Sequence, residues 1–93
     1  MEKTKTFKVE FTERAVKQLH KLDKQRFLII VNWIKKNLEG CENPRLHGKA
    51  LTASNAGKWR YRIGDYRLIA KIDDGRIIII VLAVGHRRDI YDR

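Results

Sequence analysis

The chain has 93 residues, enough for one small domain with a hydrophobic core and too few for two. Hydrophobic residues make up 43% of it and Pro occurs once, which excludes a disordered basic tail. The 21 Lys and Arg against 11 Asp and Glu give a formal net charge of +10, which favours an anionic partner such as nucleic acid, anionic membrane or acidic protein.

Cysteine content and apolar runs indicate the compartment. Cys41 is the single cysteine, which excludes an intrachain disulfide and fits a reducing environment. The first six residues are polar and lack the apolar stretch of a signal peptide. The longest apolar run, residues 77–84, is too short to span a bilayer. We therefore expect a cytoplasmic protein without membrane attachment.

The first half of the chain predicts a strand followed by two helices. Residues 6–11 alternate between apolar and polar side chains, as in a half-buried strand. Thr12 and Asp23 each precede a helical apolar stripe and are expected to be helix N-caps. The second helix is expected from about residue 24 to residue 39, where Gly40 ends it. Together the helices predict a helical hairpin.

The second half predicts a long connection and three strands. Residues 40–57 contain the one Pro and little periodicity, and Leu46 and Leu51 are expected to anchor them. A period of two then predicts strands at 58–63, 66–72 and 76–84. The order β-α-α-β-β-β predicts an α+β fold over residues 1–93, with an antiparallel sheet packed on one face by the N-terminal helical hairpin.

The hairpin at Gly64 and Asp65 separates apolar from basic side chains. A two-residue turn there places Arg62 opposite Arg67 and Lys58 opposite Lys71. The face toward the helices then carries Trp59, Tyr61, Ile63, Tyr66, Leu68, Ala70 and Ile72. The other face carries Lys58, Arg60, Arg62, Arg67 and Lys71, and Ile69, Ile78, Ile80 and Leu82 extend it as a groove floor or a small second core.

Opposed like charges on a sheet cost from a few tenths to about 1 kcal/mol per pair. An external phosphate backbone would supply the missing counter-charge, and the planar group of Arg binds phosphate through two parallel hydrogen bonds. The alternative is an ordinary solvated surface, because Lys and Arg are mostly exposed. The predominance of Arg at the centre of the face favours phosphate binding.

The last nine residues hold a further group of polar side chains. His86 contributes an imidazole, a side-chain type that can accept or donate a proton, Arg87 and Arg88 add two guanidinium groups, and Tyr91 can stack or donate a hydrogen bond. Gly85 interrupts the alternation, so register alone does not decide where Arg87 points.

Four strings give the chain a resemblance to a known family. They are Leu46-His47-Gly48, Trp59-Arg60-Tyr61-Arg62, Gly64-Asp65-Tyr66-Arg67-Leu68-Ile69, and Gly85 to Tyr91, which reads GHRRDIY. In this order and spacing they resemble the RelE branch of the RelE/ParE toxins of type II toxin–antitoxin systems. The resemblance implies a ribosome-dependent, metal-independent mRNA endonuclease that cleaves in the A site and is inhibited by a cognate antitoxin, expected to be acidic.

The resemblance also implies roles for individual residues. Arg60 and Arg62 match basic residues that hold or activate the substrate. Arg67 and Arg87 match arginines at the scissile phosphate. Tyr91 matches a tyrosine that stacks on the nucleotide. Further RNA contacts are expected from Lys58, Lys71, Lys49 and Arg88.

The general base is the open point of this assignment. Arg60 stands where the family has a plausible lysine base, and a guanidinium is a poor base because its pKa lies above 12. His86 is the preferred replacement, followed by Lys49 and Tyr91. The acidic residues of the second half lie in turns or the tail, so no metal or cofactor is expected and attack by the RNA 2′-hydroxyl is the predicted route.

Three other functions fit the sequence. The first is a ParE-like inhibitor of DNA gyrase, which would need neither a base nor Tyr91. The second is a non-catalytic protein that binds RNA or the ribosome, for which the basic face suffices. The third is an inactive toxin.

Overall fold

A computed structural model of the chain describes residues 5–51 and 57–86. Within these segments there are two helices, α1 (Glu13–His20) and α2 (Lys24–Asn37). The strands are β1 (Lys8–Phe11), β2 (Lys49–Ala50), β3 (Lys58–Ile63), β4 (Tyr66–Asp73) and β5 (Ile78–His86), and a 3₁₀ turn at Pro44–Leu46 precedes β2.

Both predicted helix N-caps are confirmed. The side chain of Thr12 accepts a hydrogen bond from the amide of Ala15 at 3.2 Å, and Asp23 accepts one from Arg26 at 3.0 Å. α2 ends two residues earlier than predicted, with Leu38 as its C-cap. Neither helix of the described segments is long and apolar enough to cross a membrane.

The sheet has the strand order β1-β5-β4-β3-β2. The α+β fold with its helical hairpin is confirmed, but the wholly antiparallel sheet is wrong, because β1 pairs with β5 in parallel. Alternation along residues 6–11 determines which side chains share a face and carries no information about strand direction. The two-residue strand β2, predicted as part of the connection, pairs antiparallel with β3.

The main core lies between the helices and one face of the sheet. The predicted apolar face is confirmed, since Tyr61, Leu68 and Ala70 have no exposed surface. The buried residues from the helical hairpin are Ala15, Leu19, Ile30, Ile34 and Leu38. Within residues 5–51 and 57–86, no helix lies against the opposite face of the sheet.

A bulge in β5 changes which residues face each side of the sheet. Ile69 pairs with Ala83 and Ala70 pairs with Val81, so Leu82 is an extra residue on β5. Leu51, Ile69 and Ala83 form a small second core on the face away from the helices, with Leu82 packed against it. A second core is thus present, but of the four residues predicted for it only Ile69 is a buried member, and Ile78 and Ile80 are not part of it. Leu51 is anchored there as expected.

Two boundaries near this region differ from the prediction. Leu46 is 76% exposed and does not anchor its segment. β5 begins at Ile78, two residues late, because Ile77 adopts a positive φ of 58° in the turn before it. It ends at His86, two residues later than predicted, since Gly85 continues the pairing with β4.

Candidate nucleic-acid interface

The face of the sheet away from the helices carries six basic side chains, and we call it the arginine face. Arg62 lies opposite Arg67, and Lys58 lies opposite Lys71, as predicted. Lys49 joins them because β2 places it opposite Arg60. The members of the arginine face are Lys49, Lys58, Arg60, Arg62, Arg67 and Lys71. Strand pairing thus gathers positive charge from three strands.

Arg67 is the innermost arginine of this face. It is half-buried, with a buried Nε, whereas its neighbour Arg62 is exposed. On its other side Arg67 pairs with Gly85 of β5, which has no side chain. Glycine in a strand often marks a place where a ligand or another backbone comes close. Gly85 therefore adds no side chain of its own beside Arg67 on the β5 side.

A groove of about 490 Å³ lies at the β2–β3 end of the arginine face. Its size is in the range of pockets that hold small molecules, such as a single nucleotide. Three cations, one histidine and one aromatic ring contribute to its walls. The lining residues are Trp33, Leu46, His47, Gly48, Lys49, Arg60 and Arg62.

Gly48 allows the segment before β2 to lie tightly against β3. Its φ is +80°, and a Cβ there would collide with the backbone oxygen of Arg60 and come within 2.9 Å of the Trp59 and Tyr61 side chains. Only glycine fits both the left-handed backbone and this close approach. The three residues Leu46, His47 and Gly48 thus have a structural role, because they form one wall of the groove.

Three side-chain contacts hold this wall in place. The Trp59 indole donates to the carbonyl of His47 at 2.6 Å, and the Tyr61 hydroxyl donates to the carbonyl of Pro44 at 2.7 Å. Burial raises the pKa of Tyr61 above its ordinary value, so its hydroxyl keeps the proton that it donates. The guanidinium of Arg45 binds both carboxylate oxygens of Asp74, at 3.0 and 2.8 Å, and lowers the pKa of Asp74.

His86 does not lie with the arginines. It pairs with Tyr66, whose side chain is on the helix side of the sheet, and the two rings meet edge to face with centroids 5.4 Å apart. His86 also lines a pocket with Arg14 and Gln18 of α1. The physical reason is the bulge at Leu82, which moves every later residue of β5 to the other face. The structure therefore separates the preferred base from the arginine face.

Three predicted site residues, Arg87, Arg88 and Tyr91, lie outside the described residues. Among those described, Lys58 and Lys71 lie at the opposite end of the arginine face from the pair Arg62 and Arg67. Across residues 5–51 and 57–86, no three His, Cys, Asp or Glu side chains come together in a way that could hold a metal ion.

Comparison with known proteins identifies the family. The family model described as "ParE toxin of type II toxin-antitoxin system, parDE" matches residues 9–91. The chain belongs to this family of toxins. Toxin RelG of Mycobacterium tuberculosis is 37% identical to it over 87 residues, which cover 94% of this chain and 98% of RelG. The mRNA interferase toxin RelE of Escherichia coli K12 is 31% identical over 81 residues, covering 85% of this chain and 81% of RelE.

Solved structures place this toxin with the RelE type. The toxin–antitoxin complex RelBE2 of M. tuberculosis matches with a TM-score of 0.82 and 33% identity, covering 94% of this chain and 98% of that chain. The archaeal RelE–RelB complex of Pyrococcus horikoshii matches with a TM-score of 0.68 and 26% identity, covering 88% of this chain and 96% of that chain. The predicted RelE-type toxin is confirmed.

Sequence reasoning about this toxin missed two residues of the groove. His47 belongs to a matching string that implies no role for it, and Trp33 falls within the predicted second helix without a pattern that indicates function. The ring centroids of these two side chains lie 5.9 Å apart, in an edge-to-face contact. The available signal was the glycine after His47, which marks a close backbone approach beside the basic strand.

Proposed function

We infer that this toxin is an endoribonuclease that cuts mRNA in the A site of the ribosome and so inhibits translation in the cytoplasm. The observation that carries this proposal is the groove on the arginine face, where Lys49, Arg60 and Arg62 meet beside a row that ends in Arg67. A relative 31% identical to the chain is named an mRNA interferase, which supports the same activity.

The arginine face would bind the RNA backbone. Arg60 and Arg62 line the groove and would hold the strand on either side of the scissile bond. Lys58 and Lys71 lie farther along the same face, where they add contacts to phosphates without reading sequence. Lys49 and, in the tail, Arg88 would extend this backbone contact.

The proposed reaction is attack of the RNA 2′-hydroxyl on the neighbouring phosphate. Its transition state carries additional negative charge on phosphorus-bound oxygens, which guanidinium groups stabilise when they are held in position. Arg67 is suited to this role because it is half-buried beside Gly85. Arg87 would supply a second guanidinium, and Tyr91 would stack on the base. The products are a 2′,3′-cyclic phosphate and a 5′-hydroxyl, formed without a metal or cofactor.

The toxin would be inhibited by an antitoxin. Two of its structural neighbours are complexes of a RelE-type toxin with a RelB antitoxin. A net charge of +10 favours an acidic contact region in the partner, which would wrap the basic surface and fold as it binds.

A second candidate function is inhibition of DNA gyrase, because the matching family model is named for ParE. That function requires binding alone, so neither RNA cleavage nor a proton acceptor in the groove would be needed. The two candidates differ in what is damaged first, mRNA or DNA.

Mapping the 5′ ends of mRNA after brief induction tests the proposal. We expect new ends inside translated codons, with a 5′-hydroxyl on one fragment and a cyclic phosphate on the other. Arg67→Ala is expected to reduce the cleavage rate about 10²–10³-fold, as when one donor to a charged transition state is removed. Intact mRNA together with broken DNA would contradict the nuclease and support gyrase inhibition. A fragment ending in a 3′-hydroxyl would refute attack by the 2′-hydroxyl.

A further inference from the structure

We propose that His47 is the proton acceptor of this nuclease, the group that removes the proton from the attacking 2′-hydroxyl. The inference rests on the proposed RNA cleavage and assigns a role that the arginines cannot fill, because a guanidinium stays protonated. His47 lines the same groove as Lys49, Arg60 and Arg62. His86, at the end of β5, lies on the helix side of the sheet.

The backbone of His47 is fixed by its neighbours. The Trp59 indole donates to its carbonyl at 2.6 Å. The next residue, Gly48, lies so close to β3 that no Cβ fits there. A catalytic group must be held near its working geometry before the substrate arrives, since ordering it during the reaction would cost rate. The wall of the groove meets this requirement.

The imidazole of His47 is oriented by an aromatic contact. Its ring meets Trp33 of α2 edge to face, with an interplanar angle of 71°. His47 is nevertheless exposed, so a substrate can contact the ring. One side of the imidazole therefore packs on protein, while the groove leaves room for the nucleotide on the other.

The charged groups around His47 come from two strands and the adjacent turn. Lys49 of β2 and Arg60 and Arg62 of β3 line the groove with it, whereas α2 contributes the uncharged Trp33. Arg45, in the 3₁₀ turn, is bound to Asp74. A phosphate held by Arg62, which lines the groove and lies opposite Arg67, would present its ribose to the imidazole across the groove, which is the pairing that cleavage requires.

The proposed step needs one proton acceptor, His47, and one proton donor, Lys49, and both line the groove. As the 2′ oxygen bonds to phosphorus, its proton passes to the imidazole of His47. The bond between phosphorus and the 5′ oxygen then breaks, and the ammonium of Lys49 gives that oxygen a proton. The proton on the imidazolium returns to the Lys49 amine through solvent. Both side chains regain their starting state, and the RNA chain is cut without net proton uptake.

Single-turnover cleavage on mRNA-programmed ribosomes, measured from pH 5.5 to 8.5, tests this role. In the wild type the rate is expected to rise with pH toward neutrality, because a general base must be unprotonated before it can accept the 2′-hydroxyl proton. His47→Gln should lower the rate about 10²–10⁴-fold, the usual contribution of a general base, and should remove that rise. His20→Gln, the same change on α1 beside Phe27, is the matched control and should keep both the wild-type rate and its rise with pH.

Two further measurements separate a chemical role from a structural one. His47→Gln is expected to keep the thermal unfolding temperature and ribosome affinity of the wild type. In His47→Ala, added imidazole should restore part of the rate, because the groove of about 490 Å³ has room for it. Rescue by imidazole would not follow from a loss of packing.

These experiments distinguish a failure of the proposed function from a failure of the proposed role of His47. If the wild type cuts no RNA, the proposed function itself fails. If the wild type cuts RNA while His47→Gln keeps its rate and its pH profile, only the role of His47 is overturned. Loss of the pH-dependent rise in His86→Gln, with the rise retained in His47→Gln, would overturn it in favour of His86.

Discussion

Arg62 and Arg67 lie directly opposite each other on β3 and β4, so their two side chains are neighbours on the same face of the sheet. Such a pair is unfavourable in the free protein and useful once a phosphate lies between them. We therefore expect that removing one arginine of this pair stabilises the free protein and lowers its activity.

Arg62→Gln is expected to raise the free energy of unfolding by a few tenths to about 1 kcal/mol, because it removes a like-charge pair across the strands. The same change should weaken RNA cleavage, since Arg62 lines the groove. Urea denaturation and a cleavage assay measure the two effects. Lys36→Gln, on the exposed side of α2, is the control and should change neither. A destabilised Arg62→Gln would show that the pair is not repulsive.

Lys71 is expected to act through charge alone. It is exposed on the arginine face, opposite Lys58. Lys71→Ala should reduce the slope of log affinity against log salt for programmed ribosomes by about 1, the effect of losing one phosphate contact. Lys35→Ala, on α2, removes the same charge from the other side of the molecule and should leave the slope unchanged. Equal slopes in both variants would exclude Lys71 from the interface.

Gly48 offers a test of how the groove wall is built. Gly48→Ala combines a left-handed alanine, which costs about 1–2 kcal/mol, with overpacking against Arg60, which costs about 1–3 kcal/mol. Gly40 is the matched control, because its φ is also positive, at +78°, but a Cβ there meets nothing within 4 Å. Denaturant titration should show the larger loss in Gly48→Ala. Equal losses of stability in the two variants would mean that the segment before β2 moves to make room for the added Cβ.

The arginine face could be predicted from sequence because the residues that determine it are close together along the chain. A two-residue turn at Gly64 and Asp65 determines the hairpin register, and alternation then assigns every side chain of β3 and β4 to a face. The pairing in the structure agrees with the prediction at both positions, Arg62 with Arg67 and Lys58 with Lys71. The same argument fails for β1, where strand direction depends on a partner 70 residues away.

The position of His86 shows why the rest of the site could not be predicted. In β5, alternation from Ile80 would bring His86 to the arginine face. One extra residue at Leu82 reverses the alternation, so Gly85 faces Arg67 and His86 faces Tyr66. An apolar run such as residues 77–84 has no pattern that locates a bulge. The groove histidine was missed for a related reason, since His47 reaches the site through a loop and not through strand register.

Tyr61 connects the stability of the fold to pH. Its buried hydroxyl donates to the carbonyl of Pro44 at 2.7 Å. Tyr61→Phe leaves that carbonyl without its donor and is expected to cost about 1–3 kcal/mol at neutral pH. Burial raises the pKa of Tyr61 from its ordinary 10.0, so above about pH 10 the unfolded chain loses this proton while the folded chain keeps it.

The sign of the alkaline effect follows from this difference. The folded state binds the extra proton, so the stability contributed by Tyr61 is complete below pH 10 and decreases as the pH rises further. Urea denaturation between pH 8 and 11 should therefore show a smaller alkaline loss of stability in Tyr61→Phe than in the wild type. The other titrating groups are common to both proteins and cancel in the comparison. Parallel curves would mean that the Tyr61 hydroxyl ionises as readily in the folded protein as in the unfolded chain.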